Sequence, residues 1–273
     1  MNGQGKLLTH FLKNADKLVI PVYQRNYDWK EEHCKKLYSD LVKTVREGKR
    51  WHFFGGIVSV SDPMGSSSDY LVIDGQQRIT TVSLLLLAIA NLVKAGIVTP
   101  KDPNLYDVIT KKYLVDEINP KQRKMKLKPI KGDQDSYDRL WGDPSEYNQS
   151  SRITQNYLYF YNQIQQDDIS VDQLFSAVEK LQIIDITLTP PDDDPQLVFE
   201  SLNSTGLDLN EGDKIRNFVL MRRSMEEQEQ FYDDYWSPIE KNAGYDKQTN
   251  SYDVSPFIRD YLGIKERRLT VMK

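Results

Sequence analysis

A chain of 273 residues can bury a sizeable core, and 39% hydrophobic with 28% charged residues is the composition of an ordinary globular protein. Its net charge of −4 argues against coating nucleic acid by bulk electrostatics, and a single cysteine, Cys34, excludes an internal disulfide framework or a multi-cysteine metal site. The three histidines, His10, His33 and His52, show no HExxH spacing, so any metal is expected to be a hard cation held by carboxylates, water and substrate phosphates.

The N-terminus lacks a long apolar segment, and no membrane association is expected. The expected compartment is the cytoplasm. Residues 30–47 carry Cys34, Leu37, Leu41 and Val45 on one stripe, which predicts a helix ended by Gly48. Two short apolar runs, 53–60 and 70–73, read as neighbouring strands around a turn at 62–69. Gly75 makes a turn into a helix over 76–94. Its run 82–90, the most apolar of the chain, is too short to span a bilayer and reads as buried.

Further helices are expected at 102–114, 135–141 and 151–166, with a strand at 125–130. Ser170 with Gln173 three residues on has the capping-box pattern and opens a helix to about 180. Residues 182–188 read as a strand. Asp194-Pro195 starts a helix that stops near Gly206, and Asn210 caps another to about 222. Strands first, then many helices, predict an α+β fold: a small mixed sheet with helices in residues 1–100, and a mainly helical region in 101–273 whose strand 182–188 returns to the N-terminal sheet. The basic block Lys121, Arg123, Lys124, Lys126, Lys128 and Lys131 reads as a solvated strand or loop edge, with a phosphate-contacting patch as the alternative.

Three constellations could carry chemistry. In Asp74-Gly75-Gln76-Gln77-Arg78, followed by Thr80 and Thr81, a strand turns into a helix whose N-terminus offers unpaired N–H groups and the positive end of the dipole to a phosphate. Gly75 allows close approach of the backbone, and Arg78 can neutralise a phosphoryl group. Gln76 and Gln77 can orient a water or read a base or sugar, and Asp74 can hold a metal or accept a proton. The same spacing fits a buried helix capped by Asp74 with Arg78 in a surface ion pair. No P-loop or G-x-G-x-x-G pattern occurs.

In residues 20–29, IPVYQRNYDW, Arg25 is again a phosphate-type group and Tyr23, Tyr27 and Trp29 could stack on a base. The other reading packs these rings on the core. In residues 199–213 the chemistry is that of an ordinary αα-hairpin, and a functional reading gives Asn203 a hydrogen bond to a nucleotide or to the Gln-Arg loop.

The blocks IPVYQRNYDW, HFFGGIVSV, YLVIDGQQRITTVSLLLLAI and FESLNSTGLDLNEGDKIRNFVLM together, over residues 7–225, resemble the N-terminal domain of GmrSD-type, modification-dependent (type IV) restriction enzymes and related phage-defence proteins. That domain is similar to the ParB and sulfiredoxin superfamily. The resemblance implies a ParB-like α+β core and a domain that binds and hydrolyses a nucleoside triphosphate (GTP, ATP or CTP) with Mg²⁺. Hydrolysis would be coupled to restriction of modified phage DNA.

Carried over by position, the DGQQR motif falls on Asp74, Gly75, Gln76, Gln77 and Arg78, the Tyr-Gln-Arg motif on Tyr23, Gln24 and Arg25, and the asparagine block on Asn203, Gly206 and Asp213. Many relatives carry an HNH-type nuclease motif in a further C-terminal domain. No histidine follows His52 here, so the expectation is a truncated chain or a nuclease on a separate subunit. The expected partners are a nucleoside triphosphate, modified DNA, that nuclease and further copies of the chain. Alternatives to an NTPase are a non-catalytic nucleotide- and DNA-binding switch, and a nuclease in its own right.

Overall fold

The computed structural model describes residues 2–61, 69–116, 124–203, 210–221, 223, 225–243, 245–246, 251–252 and 254–265. The chain forms two units, one of residues 1–21 and 26–195, the other of 22–25 and 196–273. Residues 101–195, grouped above with the helical half, therefore belong to the first unit.

The first unit runs β1 (Asn2–Leu7), α1 (Leu8–Asn14), β2 (Lys17–Val19), α2 (Glu31–Arg46), β3 (His52–Ser61), β4 (Asp69–Asp74) and α3 (Gln76–Lys94). It continues with α4 (Leu105–Ile109), a wider turn at Thr110–Leu114, β5 (Val115–Asp116), β6 (Lys124–Met125), β7 (Leu127–Lys128), α5 (Lys131–Arg139), α6 (Arg152–Gln166), α7 (Val171–Val178) and β8 (Leu181–Leu188). Six strands form one mixed sheet in the order β1-β8-β3-β4-β2-β7. β8 lies antiparallel to β1 and parallel to β3, and β3 lies antiparallel to β4. The fold is α+β, as the order of strands and helices predicts.

By length and composition alone α3 could cross a membrane, because the helix is 19 residues long rather than the nine of its apolar run. It is instead the core helix: residues 84–90 are all 0% exposed. Burial on every side removes the polar face of an ordinary surface helix, which is why the sequence there shows no amphipathic stripe. α2 is amphipathic, with Cys34, Leu37, Tyr38, Leu41 and Val42 buried. α6 starts on Ser151, whose Oγ accepts from the Ile153 N–H at 3.2 Å. At α7 the Ser170–Gln173 capping box closes both ways, at 2.9 and 3.2 Å.

The basic block differs from its reading at Lys126. This residue is 7% exposed, and its Nζ donates to the carbonyls of Leu12, Lys13 and Lys112 at 3.2, 3.0 and 3.1 Å. Burial lowers its pKa. Lys126 is thus neither a solvated edge nor a phosphate contact, whereas Lys128 is exposed. Residues 121–123 lie outside the described residues.

The second unit contains α8 (Pro195–Asn203) from Gln196 onward, α9 (Glu211–Leu220), α10 (Met225–Phe231), α11 (Ser237–Asn242) and α12 (Ser255–Lys265), with a two-stranded ribbon of β9 (Tyr245–Asp246) and β10 (Ser251–Tyr252). Asn210 caps α9 as expected, accepting from the Asp213 N–H at 2.7 Å.

Candidate functional site

β4 delivers the Asp74–Arg78 segment to the sheet end beside the glycine pair of β3. Gly75 stands at φ +95, a left-handed conformation that a side chain would strain. A Cβ there would lie 3.0 Å from Ile57 Cγ1 and 3.1 Å from the Gly56 carbonyl oxygen. Gly75 also stands at the N-cap of α3, where a glycine offers no side chain to accept from the first-turn N–H groups. The capping role open to Asp74 in the sequence is therefore not taken. Asp74 Oδ2 instead accepts from Arg78 Nη2 at 2.8 Å.

Arg78 also donates to the Gly56 carbonyl, from Nε at 3.1 Å and from Nη2 at 2.6 Å. Its side chain passes so close to Gly55 (φ +124) that a Cβ there would sit 3.2 Å from Arg78 Cδ and Nε. The two glycines of HFFGGIVSV thus form the bed on which the guanidinium lies. The ion pair is partly exposed, the Arg78 and Asp74 side chains being 25% and 39% exposed.

The glutamines divide the labour. Gln77 Oε1 accepts from the N–H groups of Asp28 and Trp29 at 2.9 and 3.2 Å, and its Nε2 donates to the Asn26 carbonyl at 3.2 Å. Gln77 therefore holds the backbone after the Tyr-Gln-Arg motif, in place of the water-orienting role suggested by its residue type. Gln76 is 8% exposed and its Oε1 has no hydrogen-bond partner among the described residues. An oxygen of this kind wants a donor.

Thr80 and Thr81 are 2% and 0% exposed, inside the core rather than facing a ligand. Thr81 Oγ1 donates to the Gln77 carbonyl at 2.8 Å and lies 2.7 Å from the Tyr27 hydroxyl. That hydroxyl accepts from Asn156 Nδ2 at 3.0 Å, so its own hydrogen goes to Thr81. Tyr27 packs in the core, and burial raises its pKa. Trp29 stacks on His33 with ring centroids 5.3 Å apart. Burial pushes the Cys34 thiol up to about 12, which keeps it protonated and excludes a thiolate nucleophile.

Four site residues of the sequence reading, Tyr23, Gln24, Arg25 and Asn203, lie in the second unit. Tyr23 is 1% exposed with its ring edge-on to Phe199 at 6.1 Å, a core position and not a stacking platform. Its carbonyl accepts from Arg216 Nε at 3.0 Å. Gln24 is buried and Arg25 half-buried. The Asn203 side chain lies outside the described residues, as does Gly206.

Sequence reasoning missed Asp133 and Asn156. Asp133 Oδ2 accepts from the Tyr27 N–H at 2.6 Å, and burial raises its carboxyl to about 6 against that hydrogen bond. Asn156 donates to the Trp29 carbonyl at 2.7 Å as well as to the Tyr27 hydroxyl. Asn156 was findable, since it falls on the buried stripe of Ile153, Tyr157, Phe160 and Ile164, where a lone amide needs a partner.

Among the described residues no group of three or more His, Cys, Asp or Glu side chains gathers to hold a metal. Asp74 Oδ1 is the one motif carboxylate oxygen outside the Arg78 pair. That donor set fits a Mg²⁺ that arrives on a polyphosphate and takes one or two protein oxygens, not a dedicated protein cage.

Residues 8–220 match the family model described as GmrSD restriction endonuclease, N-terminal domain. No curated protein matches the chain.

Proposed function

The chain belongs to the GmrSD restriction endonuclease N-terminal domain family, and from that premise we propose that it is the nucleoside-triphosphate-binding and hydrolysing regulatory domain of a DNA restriction system. The observation that carries the reading is the start of α3. Its N-cap, Gly75, brings no side chain to the first-turn N–H groups, and Arg78 of that turn lies on the Gly55–Gly56 bed. First-turn N–H groups without a side-chain N-cap, the helix dipole and a fixed guanidinium all favour a polyphosphate.

In this reading the α3 turn and Arg78 Nη1 bind phosphate oxygens. Asp74 and the Gly56 carbonyl hold the guanidinium so that little reorganisation is needed as charge builds up on the transferring group. Gln76 Oε1 takes a donor from the ligand or its water. Mg²⁺, bound with the triphosphate and Asp74 Oδ1, would neutralise phosphate charge. GTP, ATP and CTP are all candidates, and modified DNA and a nuclease subunit are the partners this role calls for.

Phosphate release from each of the four NTPs with Mg²⁺ tests the proposal. Arg78→Ala and Asp74→Ala should lower turnover by about 100-fold or more in protein that keeps its thermal transition. Undiminished turnover in either variant would overturn the site. A second reading, binding without turnover, is favoured by Gln77, because its amide atoms already serve the backbone of residues 26–29. Nucleotide retained on the protein with no phosphate released would select it.

A further inference from the structure

We propose that Asp133 and Asn156 are positioning residues which, with Gln77, clamp residues 26–29 and so steady the first turn of α3, to which Gln77 belongs. Three helices each send one side chain to this stretch. Gln77 of α3 takes the Asn26 carbonyl and the Asp28 and Trp29 N–H groups. Asp133 of α5 takes the Tyr27 N–H, and Asn156 of α6 takes the Trp29 carbonyl.

Five backbone groups in four consecutive residues are thereby held by side chains, in a stretch with no helix or strand of its own. Elsewhere a loop of this composition would leave them to water. The clamp is also a directional chain: Asn156 donates to the Tyr27 hydroxyl, which donates to Thr81, which donates to the Gln77 carbonyl. It ends in the first turn of α3. Gly132 belongs to the same device, since a Cβ there would lie 2.6 Å from Asn26 Oδ1.

The consequence for ligand binding rests on the nucleotide reading above. The clamp itself does not. Gln77 lies in the first turn of α3, so loosening the four clamped residues removes what holds its side chain there. Asp133 and Asn156 act at one remove, so they should change affinity through the first turn of α3 and not through chemistry.

The test compares the full chain with Asp133→Ala, Asp133→Asn and Asn156→Ala at a temperature where each is folded. Amide hydrogen exchange at residues 27–29 is measured without ligand, and binding of GTP, ATP, CTP and UTP with Mg²⁺ is measured separately. Both alanine variants should speed exchange at these amides and weaken nucleotide binding by about 10-fold, the loss of one or two buried hydrogen bonds. Asp133→Asn keeps an oxygen to accept from Tyr27 and should restore both.

Unchanged exchange in Asp133→Ala overturns the clamp. Faster exchange with undiminished affinity overturns the positioning role. If the unaltered protein binds none of the four nucleotides, the nucleotide reading fails and exchange alone judges the clamp. Should Asn156→Ala fail to fold, the comparison of Asp133→Ala with Asp133→Asn decides.

Discussion

Gly75 is the residue on which the geometry of the site turns. Its φ of +95 and the 3.0 Å and 3.1 Å approaches to Ile57 and Gly56 leave no room for a methyl group. Gly75→Ala should cost about 1–3 kcal/mol and tilt the first turn of α3, so denaturant midpoint and nucleotide affinity should fall together. Loss of stability with full affinity would detach the turn from function. Asp133 makes the pH prediction. Its carboxyl is raised from 3.8 to about 6, so the folded state binds a proton more tightly than the unfolded chain. The stability it contributes is complete below about pH 4 and lost as pH rises through 6. The unaltered protein should therefore lose about 2 kcal/mol across that window relative to Asp133→Asn, which lacks the group. Urea unfolding of both at pH 4.5 and 7 checks the sign, and parallel pH dependences would refute it.

At the scale of elements, what sequence patterning displays is burial on one side. α2 and α6 carry clear stripes, α7 announces itself by its capping box, and α9 by Asn210. β1, α1 and β2 do not. β1 reads NGQGKL, with two glycines and no β-branched residue, β2 has three residues and α1 seven, too few for a period to emerge. Their places come from tertiary partners: β1 from β8, which follows it by about 180 positions, and β2 from β4 and β7. The site divides in the same way. The DGQQR segment and the glycines that cradle Arg78 are legible locally, whereas the partners of Gln77 and Thr81 are set by a loop some 50 residues earlier. Lys126 is the sharpest case, since it sits in a basic block between Lys124 and Lys128 and its partners are the carbonyls of Leu12 and Lys13 in α1 and of Lys112. Lys126→Met keeps the bulk but leaves those carbonyls unpaired, at a cost of about 3 kcal/mol. A change below 0.5 kcal/mol in urea unfolding would mean that water replaces the ammonium there.

The whole molecule is organised around an interleaved chain. Residues 22–25 belong to the second unit although both flanks belong to the first. Arg216 of α9 is what claims them. It is 6% exposed and donates from Nε to the Tyr23 carbonyl, from Nη2 to Asp213 at 2.7 Å and from Nη1 to Glu240 at 2.8 Å. Glu240 in turn accepts from Trp236 Nε1 at 2.8 Å and from the Tyr232 hydroxyl at 3.0 Å. Three donor–acceptor pairs thus meet at one guanidinium and two more at its partner Glu240, and the fork geometry is not one that lysine can copy. Arg216→Leu leaves two half-buried carboxylates without their cation and should destabilise the second unit by about 3 kcal/mol. Its loss also frees the Tyr23 carbonyl, and with it the bond after Arg25. Trypsin should cut there faster than in the unaltered protein, by about 10-fold or more, since local opening sets the rate of such cleavage. Arg216→Lys should lie between the two. If the bond after Arg25 stays equally resistant in Arg216→Leu, then the Tyr23 ring against Phe199, and not the guanidinium, is what fastens residues 22–25 to the second unit.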